Sequence, residues 1–158
     1  MNKVTSLALV IVAVLGLFVL GYAQSDDQGV VGVSTHTRME AGGGLAFAWG
    51  STWVLARLSI VRGQWGVDLD LWSQGLETLL LLPTMRVDFD LQPNRFRVGF
   101  APVVLFERGR PKMLEFLLVK GGIIASGYPG LEAFTEILFP FRLSFFPVGF
   151  LVGVGWMF

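Results

Sequence analysis

Four carboxylates and two guanidinium groups stand at spacings that place them on common strand faces: Asp68, Asp70, Asp88 and Asp90 with Arg86, and Arg97 on the next run. Carboxylate pairs two residues apart can hold a hard cation such as Ca²⁺ through oxygen ligands. Interleaved arginines point instead to mutual neutralisation, because an unpaired charge inside a protein is costly and balanced signs on one face satisfy each other. A second candidate is His36, the single histidine, with Ser34 and Glu40 nearby. Histidine with a hydroxyl or an acid suits acyl transfer at a membrane rim. No sequence signature fixes such a site here, and His36 reads as a surface residue in a polar leader. The chain has no cysteine, which removes thiolate chemistry and disulfides. Gly42-Gly43-Gly44 lacks the following Lys and helix of a phosphate loop, so it reads as a turn. No catalytic, cofactor or metal residue is assigned, and no cofactor is expected.

The elements that position these groups are strands. From Gly42 onward apolar and small or polar residues alternate with period two. Trp65, Val67, Leu69 and Leu71 oppose Gly66, Asp68 and Asp70, and Met85, Val87, Phe89 and Leu91 oppose Arg86, Asp88 and Asp90. Phe96, Val98 and Phe100 oppose Arg95, Arg97 and Gly99. Val148, Phe150, Val152, Val154, Trp156 and Phe158 oppose Gly149, Leu151, Gly153 and Gly155. Breakers at Arg62-Gly63-Gln64 and Gln92-Pro93-Asn94 predict hairpin turns, and Glu107 to Lys112 a longer loop. Runs at Trp53–Arg62, Met113–Gly127, one strand or two divided at Gly121-Gly122, and Glu136–Phe146 complete a count of eight strands, with ten as the alternative. The connections at 75–82 and 130–138 have helical character, and Gly75-Leu76-Glu77 recurs as Gly130-Leu131-Glu132, the mark of a faint internal repeat.

Composition decides which solvent meets the apolar face. The chain is 53% hydrophobic with 14 Phe and 5 Trp, too greasy for a water-exposed sheet of this size. Twelve bases against twelve acids leave no positive surplus for nucleic acid. A large apolar face opposite a face of Gly, Ala, Asp and Arg fits lipid outside and a narrow, charge-paired interior. In hydrocarbon, strands span only as closed barrels. The expected fold is therefore an all-β, closed antiparallel transmembrane β-barrel of eight strands over 42–158. Trp49, Trp53, Trp65, Trp72 and Trp156 lie near strand ends, as interfacial aromatic girdles require. Ahead of the barrel, Lys3, the apolar run Leu7–Leu20 and Gly21-Tyr22-Ala23 read as a signal peptide over 1–23, cleaved near Ala23. A polar segment, 24–41, follows.

The final strand, with Val152, Val154, Trp156 and Phe158 on one face, resembles the C-terminal signature of bacterial outer-membrane proteins, and the chain length resembles that of their small eight-stranded class. The resemblance implies recognition by the outer-membrane assembly machinery, residence in the bacterial outer membrane and contact with its lipid bilayer. Three functions remain open at this point: a structural, membrane-integrity barrel with a plugged interior; a narrow channel or apolar-ligand binder, its ligand unknown; and a rim-located lipid-modifying enzyme. The non-enzymatic, structural reading is favoured.

Overall fold

In a computed structural model, which describes residues 37–75, 77–91, 93–141 and 148–158, the chain is a closed barrel of eight antiparallel strands in sequence order. The strands are β1 (Thr37–Ala48), β2 (Ser51–Arg62), β3 (Trp65–Gln74), β4 (Thr78–Leu91), β5 (Asn94–Glu107), β6 (Arg110–Tyr128), β7 (Leu131–Phe141) and β8 (Gly149–Met157). β1 closes on β8, from Glu40 opposite Met157 to Ala48 opposite Gly149. Carrying the registers once around returns to β1 about ten residues further along, which tilts the strands by about 40° and leaves an interior that side chains fill. The expected signal peptide and most of the polar segment lie outside the described residues.

Among the described residues the turns are short at both ends. Trp49 and Gly50 between β1 and β2 have φ of 52° and 72°, and Arg108 and Gly109 between β5 and β6 have 48° and 74°. Positive φ at both central residues is the two-residue turn whose twist matches a hairpin. A bulky residue such as Trp49 resists that conformation. Its ring lies 6.3 Å from that of Trp72 and 6.1 Å from that of Phe116, contacts that offset the strain and cover the mouth of the barrel.

Four sequence expectations change. Residues 37–41 already belong to β1, ahead of the expected start at 42, because the polar Arg38 and Glu40 face the interior and belong to the barrel wall. Residues 78–82 and 131–138 are strand, not helix. β6 runs unbroken through Gly121-Gly122. Gly75 and Gly130, which open the two Gly-Leu-Glu segments, fall at opposite ends of the barrel, in the β3–β4 and β6–β7 turns, so the segments do not mark duplicated halves.

The interior is divided along its axis. Toward the β1–β2 turn the inward residues are apolar: Ala46, Ala48, Trp53, Leu55, Trp72, Leu80, Leu82, Ala101, Val103, Leu118, Leu138 and Leu151 form one buried cluster. Toward the termini most inward residues carry charge, with Val61, Ile124 and Phe134 set among them. Trp53 and Trp72 are buried in the apolar half, so they are core residues and not girdle residues. Trp65 and Trp156 do face outward, more than half and half exposed respectively. Outside, Val54, Leu58, Leu69, Leu71, Phe89, Phe100, Ile123, Ile137, Phe150 and Val154 are exposed around the whole circumference.

Candidate functional site

Inward parity delivers charged side chains to the lower lumen from seven strands, β1 to β7. Among the described residues six acids (Glu40, Asp68, Asp70, Asp88, Glu132 and Glu136) meet six bases (Arg38, Arg57, Arg86, Arg95, Arg97 and Lys120). The signs balance, as a low-dielectric enclosure demands.

Arg57 is the most completely bound. Its Nε and Nη2 donate to the two oxygens of Asp70 at 2.6 and 2.8 Å. Its Nη1 and Nη2 donate to the two oxygens of Glu136 at 2.5 and 2.9 Å. A planar guanidinium fits two carboxylates in this forked manner. The same group lies 4.6 Å from the centre of the Phe134 ring, a cation–π contact. Lys120 Nζ donates to Asp70 Oδ2 at 2.8 Å from across the lumen.

Arg86 is placed 2.8 Å from Asp68 Oδ1, and its Nη2 donates to Glu40 Oε2 at 2.7 Å. Arg97 donates to Asp88 Oδ1 at 3.1 Å and reaches Glu40 and Glu136 at 3.4 and 3.5 Å. Nearer the rim Arg38 donates to Glu40 Oε1 at 3.0 Å, and Arg95 pairs with Glu132. Inward glycines make room for these long side chains. A Cβ on Gly66 would strike the Arg86 side chain at 2.7 Å, and one on Gly99 would strike Thr84 at 2.7 Å.

Of the residues singled out from sequence, Asp68, Asp70, Arg86, Asp88 and Arg97 are brought together in the lumen. Asp90 is not: at the end of β4 it is exposed at the rim, outside the cluster, because the strand has left the enclosed part of the barrel. Val152, Val154, Trp156 and Phe158 lie exposed on the outer side of the wall near the chain end. His36 and Ser34 lie outside the described residues, and Glu40 is engaged by Arg38 and Arg86.

Sequence reading missed Glu40, Arg57, Lys120, Glu132 and Glu136. Their strands have apolar residues on both faces in the upper half, which hides the alternation that would have shown their inward parity. Lys120 and Glu136 stand two residues from inward Leu118 and Leu138, the remaining clue.

Three of the four carboxylates that sequence alone offers for a cation, Asp68, Asp70 and Asp88, lie against guanidinium or ammonium groups. Among the described residues no cluster of three or more ligating side chains is placed to hold a metal. A recess near the termini, bordered by Glu40, Ser59, Arg97, Glu132 and Phe134, has about 10 Å³ of room, enough for roughly one water.

No family model matches the chain, and no curated protein matches it. Solved structures do. The solution structure of the de novo designed barrel TMB2.3 aligns over 75% of this chain and 91% of its own, with TM-score 0.60 at 7% identity. A structure described as de novo design of transmembrane β-barrels aligns over 77% and 95%, with TM-score 0.57 at 9% identity. The N-terminal β-barrel domain of Pseudomonas aeruginosa OprF covers 77% and 96% at 15% identity, with TM-score 0.48, too loose to bear on function. At these identities the likeness is one of architecture: this chain shares its barrel fold with proteins of almost unrelated sequence.

Proposed function

We propose that this protein is an integral outer-membrane β-barrel of a bacterium, acting as a structural element of that membrane and neither as a pore nor as an enzyme. On this reading residues 1–23 are a signal peptide removed near Ala23, and the final strand with Val152, Val154, Trp156 and Phe158 is the signal read by the outer-membrane assembly machinery. The apolar belt faces the bilayer. Strands of 9 to 19 residues are long enough to cross hydrocarbon when tilted.

The observation that carries the structural role is the filled lumen. A neutral network of ion pairs occupies the lower half, and an apolar plug of Trp72, Leu82, Leu118, Leu138 and Leu151 occupies the upper. An ion entering from either end meets one or the other. Among the described residues the turns are short and supply little surface for a soluble partner, which weighs against receptor or adhesion roles.

The test is refolding of the mature protein in detergent and lipid. Slower migration on SDS gels after boiling than before, or the reverse, marks the folded barrel, and planar-bilayer recording then reads its conductance. A heat-dependent shift without conductance is expected. Discrete conductance steps from barrel that shows the shift would overturn the plugged reading.

A further inference from the structure

The charged network leaves out one strand. β1 supplies Arg38 and Glu40, β2 Arg57, β3 Asp68 and Asp70, β4 Arg86 and Asp88, β5 Arg95 and Arg97, β6 Lys120, and β7 Glu132 and Glu136. β8 supplies nothing: its sequence, Gly149 to Met157, has no charged residue, and Gly149, Gly153 and Gly155 take inward positions. It is also the shortest strand, at nine residues.

The network bypasses β8 as well as omitting it. On the wall, β2 and β7 are separated by β1 and β8. Through the lumen they are joined directly by the double hydrogen bond of Arg57 to Glu136. Glu40 likewise ties β1 to β4 and β5 through Arg86 and Arg97. The neighbours of β8 on both sides are thus held in place without it. β8 itself is held by backbone pairing to β1 and β7, by Leu151 in the apolar plug, and by outer contacts such as Phe150 on Phe47, ring centres 4.9 Å apart.

We propose that β8 is the moving strand of this barrel: it separates from β1 and β7 as a unit while β1 to β7 keep their curvature, so the wall opens at the two seams of β8 before anywhere else. Opening unpairs both edges of β8 and the facing edges of β1 and β7, and the polar groups of those two wall edges fit an added strand.

Hydrogen exchange on the full mature chain, refolded in detergent, tests this. Amides of 149–157 are expected to exchange at least about tenfold faster than those of 54–61 and 67–72, the signature of a local opening below global unfolding. Uniform protection across all strands, or an earlier loss in another strand, would overturn the proposal. A second variant isolates the seam. Phe47→Cys with Phe150→Cys places the chain's only thiols on directly paired residues, at a separation suited to a disulfide. Oxidation should abolish the fast phase in β8 and reduction restore it, with the heat-dependent gel shift kept in both states. A fast phase that persists in the oxidised barrel would refute the seam as its origin.

Discussion

Truncating Glu136 would leave Arg57 and Arg97 facing each other in a closed lumen, with one of their shared acids gone. Removing one partner of a buried pair costs about 3–5 kcal/mol, mostly as the penalty of an uncompensated charge. Glu136→Ala is therefore expected to lower the urea midpoint of the refolded barrel by that equivalent, whereas Asp90→Ala at the exposed rim should change stability by less than about 0.5 kcal/mol. Equal effects of the two would show that the lumen is wetter than its burial implies. A smaller effect belongs to Thr84. Strand pairing between β4 and β5 is interrupted between Leu81–Val104 and Met85–Phe100, where Pro83 and Pro102 lack N–H donors. Thr84 Oγ1 donates to the Leu82 carbonyl at 3.3 Å within that gap. Thr84→Val, read by the same unfolding midpoint, should cost about 1 kcal/mol.

At the scale of elements, the β1–β8 seam depends on small residues. A Cβ on Gly44 would collide with the Val152 carbonyl and with Gly153 Cα, backbone atoms that cannot swing aside. Gly44→Ala is expected to prevent closure, seen as loss of the heat-dependent gel shift, while Gly121→Ala, whose Cβ meets nothing within 4 Å, should fold normally. A closed Gly44→Ala barrel would mean the seam is looser than its register. Element reading from sequence was least secure where both strand faces are apolar. Thr78 to Leu82 carries a run of leucines that mimics a helix, yet Leu80 and Leu82 enter the plug while Leu79 and Leu81 line the outer side. Period two is invisible when inside and outside have the same polarity.

For the whole molecule, the outer belt and the inner core should respond differently to their surroundings. In vesicles containing brominated lipid, single-tryptophan variants keeping Trp65 or Trp156 are expected to be quenched, and those keeping Trp53 or Trp72 are not. Quenching of Trp72 to the same degree would contradict the barrel's inside-out assignment. Because the ion pairs are enclosed, raising salt from low to high concentration should leave the unfolding midpoint nearly unchanged, since screening acts on exposed charges.

Residues alone determined that the chain alternates and that Asp68, Asp70, Arg86, Asp88 and Arg97 share a face, which follows from parity within a strand; the same parity placed Asp90 with them, and only the structure shows that it lies beyond the enclosure. Strand count, settled at eight, and the place of residues 37–41 in the wall required the registers, because turns and rim residues carry weak local signals. The pairing of Arg57 with Glu136, seventy-nine positions apart, was invisible for a deeper reason. Which charge meets which across a barrel depends on the stagger accumulated around the circumference, a quantity that belongs to no single strand. The division of the lumen into an apolar plug and a charged half has the same origin: it is written in residues scattered over eight strands, and only closure stacks them into layers.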